Sequence, residues 1–379
     1  MVPLWLEVAL VLGAIVVLLF QGVALVFAVA LARLEPPPTA APAPTGTVSV
    51  VVAARNEEGD LGATLDALLA EEYSGLEIVV VEGGSTDGTR AVIDARAPRV
   101  RRIDEPPLPP GWVGKNWACW TGAQATRGEW LLFLDADVRL APSAVRAQVD
   151  WAQRERADLA SLGPQVEMVG FWERVVLPMY IQIVLTYFRT PRIHRDGSRA
   201  AMANGQCWLT RRSVYFDLGG HAAVRGQVLE DVALARRYRA AGLRLRFAWA
   251  PDLGRTRMYT DRHEMFEGLL KNVHGLEFSA VRQLGFLAGL IGLFLLPLGL
   301  LPLGIALGSP VLLGVGALLY VALFAKHVVF ARGVRAPAVY GLLFPLAIAW
   351  YVVLVTTSLV RGVRQRPIEW KGRSYPVRE

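Results

Sequence analysis

The sequence predicts an α/β domain held between membrane-spanning helices, and three observations carry that expectation. Strand-like and helix-like segments alternate over residues 48–162, charge-free apolar stretches flank that region on both sides, and one short apolar run, Trp130 to Val138 (WLLFLDADV), delivers Asp135 and Asp137 at its end. The 379 residues suit about two or three domains, and a hydrophobic content of 53% with positive mean hydropathy is high for a chain without membrane segments.

The apolar stretches set the outer organisation. Val8 to Ala32, Leu284 to Ala325 and Ala336 to Val360 hold no charged residue. Each exceeds the roughly 20 residues that span a bilayer, and the second is long enough for two spans turning at Gly308-Ser309-Pro310. The first reads as an anchor rather than a signal peptide, because no basic leader precedes it and it is long for a signal's apolar segment. Residues 1–35 are therefore expected as an N-terminal anchor, 36–46 as a Pro/Ala linker and 47–283 as a cytoplasmic domain. Residues 284–361 follow as a membrane region of about three hydrophobic segments, and 362–379 as a basic tail.

Basic residues give the orientation. Arg33 follows the first span and none precedes it, which places the domain in the cytoplasm, and Lys326, Arg332 and Arg335 agree. Three downstream spans would put the tail outside, yet Arg361, Arg364, Arg366, Lys371, Arg373 and Arg378 favour inside. One apolar segment is then re-entrant, either around Pro297 and Pro302 or around Pro345. The net charge of +7 reads as basicity beside anionic lipid rather than a nucleic-acid footprint. Cys119 and Cys207 have no metal or redox spacing and suit a reducing compartment.

Within the domain, Val48–Ala53, Leu76–Val81, Val100–Ile103, Trp130–Leu134 and Asp158–Leu162 read as strands, and Gly59–Glu71, Asp87–Arg96, Lys115–Thr126 and Pro142–Arg156 as helices. Such alternation predicts a mostly parallel sheet whose ligands collect at the carboxyl ends of the strands. The D-x-D run is a strand buried on both faces, and the i, i+2 spacing lets both carboxylates reach one divalent ion that also grips a diphosphate. The first strand runs into Ala54-Arg55-Asn56-Glu57-Glu58, where Asn56 caps the next helix and Glu57 faces the crevice. The second ends in Glu82-Gly83-Gly84-Ser85-Thr86-Asp87, where the glycines allow close backbone approach and Ser85 or Thr86 caps.

Taken at this order and spacing, these turns and the D-x-D strand resemble the inverting glycosyltransferases of family 2, with a GT-A nucleotide-diphospho-sugar domain over about Thr47 to Leu284. The segment Leu108 to Ala118 (LPPGWVGKNWA), with Gly122 and Gly128 after it, is similar to a P-P-G-W-x-G-K segment of membrane-anchored members that act on lipids, of the ceramide glucosyltransferase, hopanoid-associated and carotenoid types. The resemblance implies that Ala54 and Glu57 line the nucleoside pocket, that Lys115 lies near the donor, and that Asp135 and Asp137 manage metal and diphosphate, Asp137 as the direct ligand. Relatives usually carry Asp-Asp where this chain has Glu82-Gly83, which leaves Glu82 as the substitute toward the donor base.

Leu229-Glu230-Asp231 opens another helical stretch. Acidic residues favour a helix N-terminus in any protein; by the resemblance they are the family's E-D motif, with Asp231 as the base that deprotonates the acceptor hydroxyl and Glu230 orienting it. The Q-x-x-R-W motif of processive synthases is missing, and Arg257-Met258-Tyr259 and Lys271-Asn272 stand in its region. Gly170 to Arg195 mixes aromatic and aliphatic residues with Arg174, Arg189 and Arg192. It is either core or an interfacial helix that brings a lipid acceptor to the sugar site. Asn204-Gly205-Gln206 has the spacing of an acceptor-facing loop, and His194, His221, His263 and His274 are isolated enough to be surface or core residues.

The resulting expectation is a multi-pass inner-membrane enzyme. It would transfer one sugar, UDP-linked, to a lipid or polyprenyl-type acceptor with Mg2+ or Mn2+. The alternatives are a processive polysaccharide synthase and a catalytically idle scaffold of the same fold.

Overall fold

The computed structural model describes residues 3–30, 33–36, 44–276, 280–364, 368–370 and 373–375, so most of the Pro/Ala linker and most of the basic tail lie outside the described residues. The helices are α1 (Leu4–Val29), α2 (Leu61–Leu69), α3 (Thr89–Asp94), α4 (Gly114–Ala125), α5 (Ala144–Arg154), α6 (Phe171–Tyr187), α7 (Arg212–Asp217), α8 (Glu230–Ala240), α9 (Arg262–Gly275), α10 (Ala280–Leu290), α11 (Leu296–Leu307), α12 (Pro310–Gly333) and α13 (Phe344–Val363). The strands are β1 (Val48–Ala54), β2 (Leu76–Glu82), β3 (Val100–Asp104), β4 (Trp130–Asp135), β5 (Val138–Leu140), β6 (Leu159–Gly163), β7 (Gln165–Val166), β8 (Cys207–Arg211), β9 (Leu245–Trp249), β10 (Gly254–Thr256), β11 (Ile368–Trp370) and β12 (Arg373–Tyr375). Two compact units share them. One combines Leu31–Glu167 with Phe188–Met258; the other combines Met1–Ala30, Met168–Tyr187 and Tyr259–Glu379.

In the first unit a seven-stranded sheet runs in the order β3-β2-β1-β4-β8-β6-β9. β3, β2, β1 and β4 are parallel, β8 is antiparallel to β4 and β6, and β9 is parallel to β6. β1 (VSVVVAA) and β4 (WLLFLD) are continuous apolar runs with nearly every residue buried, as strands covered on both faces require. Ser49, the polar exception in β1, is fully buried and satisfied, donating to Glu77 Oε2 at 2.6 Å and accepting from Gly128 N at 2.8 Å. β8 departs from the parallel pattern because the chain re-enters the sheet beside the carboxyl end of β4, where Cys207 pairs with Leu134. Phe133 stacks on Trp208 across this pair with ring centroids 4.4 Å apart, a contact of about 0.5–1.5 kcal/mol beyond its burial. A small sheet β5-β10-β7 sets Val138 opposite Thr256. The sheet order reverses between β1 and β4, the place where open α/β sheets bind ligands.

The second unit holds the apolar helices. Leu4–Val26, Pro310–Gly333 and Ala338–Val363 are long and apolar enough to cross a membrane, and a pair, Ala280–Phe294 with Pro297–Leu307, is bent by 51° at the break. Gln21 Nε2 donates to Leu293 O at 3.2 Å and Ser309 Oγ donates to Glu7 Oε1 at 2.5 Å. Between those contacts the bent pair advances 14 residues along α1 (21 − 7), about 21 Å at 1.5 Å per residue. A pair bent in this way is either a broken span or a re-entrant loop, the two forms the sequence allows for the Pro297/Pro302 stretch. α6 belongs to this unit rather than to the sheet, with Trp172 5.0 Å from Trp350 of α13 and the Arg174 guanidinium over the Tyr340 ring. Residues 168–187 and 259–283, read from the sequence as part of the 47–283 domain, thus pack with the apolar helices.

Candidate active site

The carboxyl ends of three neighbouring strands bring the first candidates into one row. Ala54 of β1 pairs with Glu82 of β2, and Ala53 pairs with Asp135 of β4. The two turns that follow β1 and β2 are stitched together. Asn56, in the left-handed region at φ 54°, accepts from Thr86 N at 2.9 Å and donates its own N–H to Ser85 Oγ at 3.0 Å, while Glu57 N donates to Thr89 Oγ1 at 2.8 Å. Asn56 therefore does not cap α2, and neither Ser85 nor Thr86 caps α3. Asp87 accepts from Thr89 N at 3.1 Å instead. The side chains assigned to capping connect the turns because the strands hold them within reach of each other.

Glu82 lies at the end of β2 with its side chain buried. Its carboxylate accepts from Ser85 N at 2.5 Å and pairs with Arg90 Nε at 2.8 Å, and despite burial these contacts hold it below the ordinary carboxylate pKa. At Gly83 an added Cβ would stand 3.3 Å from Arg55 Cβ and 3.4 Å from Ala54 O. The turn is packed onto Arg55, whose Nη1 donates to Gly83 O at 2.7 Å.

On the other side of β1, charges crowd. Lys115 stands in the first turn of α4, where a cation opposes the helix dipole. Two carboxylates compensate it: Asp135 Oδ1 at 2.7 Å and Glu230 Oε1 at 2.9 Å. Asn116, absent from the sequence-derived site, makes this meeting possible. Its buried Nδ2 donates to the carbonyls of Val224 (2.9 Å), Arg225 (3.1 Å) and Gln227 (2.9 Å), tying α4 to the segment that leads into α8 and Glu230. Its place next to Lys115 in the GWVGKNW run is the only hint the sequence offers.

Asp231 stands beside this bridge. Gly205 N and Val232 N each donate to one of its carboxylate oxygens at 2.7 Å. Burial, then the neighbouring Glu230 charge, push its pKa up to about 7, against the pull of Lys115. A Cβ on Gly205 would sit 3.0 Å from Asp231 Oδ2 and 3.4 Å from Lys115 Nζ, so a side chain there would press on the Asp231 carboxylate. Asn204 and Gln206 flank it, and Gln206 O accepts from Asp135 N at 3.0 Å, which sets the predicted acceptor-facing loop against the D-x-D strand.

Asp137 follows in the turn to β5 and accepts from Thr256 Oγ1 at 2.9 Å. Burial, then Asp135 and Glu57, raise its carboxyl pKa to about 7. Thr256 escaped sequence reasoning because 119 residues separate it from its partner. Asp137 thus lies near two further carboxylates, Asp135 and Glu57, and such a group suits a divalent cation. Among the described residues no group of three or more His, Cys, Asp or Glu is arranged as a preformed cage. Asp135 and Asp137 would thus hold the ion with ligand oxygens completing its shell, the usual habit of Mg2+-type ions on phosphates. His221 is no ligand candidate. It is buried against Tyr215 OH at 2.8 Å, and burial, then Lys115, lower its pKa to about 3.

The comparisons with known proteins agree with this geometry. Residues 49–219 match the family described as Glycosyl transferase family 2. Residues 49–219 carry a family 2 glycosyltransferase domain. The 4,4'-diaponeurosporenoate glycosyltransferase of Staphylococcus aureus (strain MRSA252) is 28% identical over 201 residues, 52% of this chain and 52% of that protein. The protein of the same name from strain bovine RF122 / ET3-1 is 27% identical over 202 residues with the same coverage. The chain spans about half the length of the curated relatives it matches. Among solved structures, the mannosyltransferase PcManGT from Pyrobaculum calidifontis, in complex with GDP-Man and Mn2+, shares the fold with a TM-score of 0.51 and 18% identity, over 93% of this chain and 96% of that one. The fold is thus the mixed α/β sheet of GT-A type, with apolar helices at both ends of the chain, as the sequence predicts.

Ala54, Glu57, Glu82, Lys115, Asp135 and Asp137 fall within the matched residues 49–219, and Glu230 and Asp231 follow them in the chain. Asp135, Lys115, Glu230 and Asp231 form one cluster, and Asp137 with Glu57 adjoins it through Asp135. Ala54 ends β1 between them and Glu82, whose carboxylate is engaged by Ser85 and Arg90.

Proposed function

We propose that this chain transfers a single sugar, with inversion, from a nucleotide-diphospho-sugar to the hydroxyl or carboxyl oxygen of a lipid acceptor. The observation that carries the reading is the Lys115 bridge between Asp135 and Glu230, with Asp231 beside it, at the point where the sheet order reverses. Asp231 takes the acceptor proton as the acceptor oxygen forms its bond to the anomeric carbon, and the bond from that carbon to the diphosphate breaks on the opposite face. Its raised pKa suits this role, because a base works best when its pKa lies near the operating pH. Gly205 N and Val232 N fix the carboxylate's direction. Lys115 holds Glu230 and Asp135 in place and contributes positive charge where the diphosphate leaves. Mg2+ or Mn2+ held by Asp137 and Asp135 would neutralise the charge growing on the leaving group.

The lipid acceptor is supported by the name of the staphylococcal relatives, whose acceptor is a carotenoid acid, and by three helices long enough to cross a membrane. With Arg33, Arg332 and Arg335 as the inside residues, the catalytic unit faces the cytoplasm of the inner membrane. The test is nucleotide release by the purified chain in membrane-lipid extract, across UDP-, GDP- and dTDP-sugars, with Mn2+, Mg2+ or chelator. Release from one donor, dependent on metal and stimulated by lipid, is the expected result, with a UDP-sugar the first donor to try. A product carrying many sugars would point to a processive synthase. Silence across the panel, with Asp137→Asn binding nucleotide as wild type does, would leave an idle scaffold.

A further inference from the structure

A second polar concavity lies in the sheet-bearing unit, away from the residues of the candidate active site. A cavity of about 340 Å3 is lined by Gly197, Ser198, Arg199, Arg236, Arg239 and Gly242. Its three arginines differ from their neighbours in what meets their charge. Arg244 and Arg246 reach Asp196 at 3.5 and 3.4 Å, and Arg246 also pairs with Glu155 at 2.9 Å. Arg239, half-buried, gives its Nε to Ala200 O at 3.0 Å and its Nη2 to Ile193 O at 2.6 Å. Carbonyls satisfy the N–H geometry and leave the charge in place. Arg199 and Arg236 are exposed and make no ion pair among the described residues. Asp196, the nearby acid, is already engaged by two other guanidiniums. The cavity is therefore a concave surface lined by three cations, of which Arg239 alone feels Asp196, at longer range than an ion pair. Guanidinium forks in that arrangement match the oxygens of a phosphate.

We propose that this cavity binds a phosphate group, supplied by the headgroup of an anionic membrane lipid. The phosphate chemistry rests on the arginines alone, whereas the lipid source rests on the membrane reading above. The segment that forms the cavity rim continues directly from α6, the helix that packs with the apolar helices, and it carries Arg189, Arg192 and Arg195, all exposed, ahead of Arg199. A basic run that directly follows a membrane-associated helix in the chain is the kind that binds anionic headgroups.

The test uses the full chain in a nonionic detergent and follows its melting temperature during titration with dihexanoylphosphatidylglycerol or with inorganic phosphate. Wild type is expected to gain stability as ligand saturates, and Arg199→Gln/Arg236→Gln to respond at least about tenfold more weakly. A response to the lipid alone identifies a headgroup site. An equal response to inorganic phosphate identifies a site open to soluble phosphates as well. Arg237→Gln serves as the control, since Arg237 is exposed on the same helix, donates to Leu218 O and does not line the cavity; its response should equal that of wild type. If the double variant melts low by itself, Arg236→Gln alone, at an exposed residue, is expected to weaken the response several-fold. Equal shifts in wild type and the arginine variants, equal losses in Arg237→Gln, or no shift in wild type would each overturn the proposal.

Discussion

Two carboxylate-bearing turns stand at the carboxyl ends of β2 and β4, one on each side of β1. In the first, Glu82 meets a backbone N–H and an arginine, and its pKa lies below the ordinary carboxylate value. In the second, Asp135, Glu230 and Asp231 gather around one lysine with Asp137 next to Asp135, and Asp137 and Asp231 are pushed up to about 7. Both turns sit where an α/β sheet binds ligands, and they contain the same chemical groups. A carboxylate whose charge is already met holds the fold together; carboxylates that repel one another are kept for a ligand, because burying uncompensated charge is otherwise destabilising.

That distinction breaks most visibly at Asp231. Asp231→Asn should lower kcat by about 10^2- to 10^4-fold while donor binding persists, as single-turnover and equilibrium-binding measurements would show. The pH profile sharpens the assignment. Asp231 faces Glu230 and Lys115, with Asp135 on the far side of the lysine, and the base acts only when ionised, so kcat/KM should fall as pH drops below about 7. A variant that kept full activity would take Asp231 out of the base role. Asp137→Asn should reduce turnover by about a hundred- to a thousandfold and raise the Mn2+ concentration needed for half-maximal rate. An unchanged metal requirement would mean that the ion, if any, sits elsewhere.

The quieter turn should respond in stability instead. Glu82→Gln is expected to destabilise the fold by about 1 kcal/mol, because the Ser85 N–H and the exposed Arg90 lose a charged acceptor that is itself buried, with kcat close to wild type. Since the folded carboxyl has a lowered pKa, its contribution is complete above the unfolded value of about 4.3 and lost as pH falls through the folded value. Urea unfolding at pH 7 and at pH 3 would therefore show a larger wild-type-to-variant gap at pH 7. A raised donor KM without loss of stability would return Glu82 to the nucleoside contact read from the sequence. The smallest effect on chemistry is expected at Gly122, where an added Cβ would lie 2.4 Å from Val51 Cγ1 and 3.0 Å from Val81 Cγ2. Gly122→Ala should destabilise by about 1–3 kcal/mol by overpacking and affect rate only as far as it displaces α4 and Lys115.

Much of the nucleotide-sugar half was legible because its signals are local. The apolar run of β4 ends at its aspartates, and a seven-residue run with four valines makes β1. The first four parallel strands and the helices between them fall within a few residues of their expected bounds, since each connection is short and each period plain. What stayed hidden depends on contacts distant in the chain. Asn116 anchors carbonyls 108 to 111 residues away, and Thr256 meets Asp137 across 119 residues. No spacing rule connects such pairs.

By itself the sequence determined the alternation of strands and helices, the apolar segments, and which side chains are chemically able to act, because burial period, span length and side-chain type are properties of the chain alone. Only the tertiary structure decided that Lys115 lies between Asp135 and Glu230, that Glu82 is held by Arg90, and that α6 packs with the apolar helices. Each of these turns on where a side chain meets a partner far away in sequence, and that meeting is set by sheet order and helix packing rather than by local pattern.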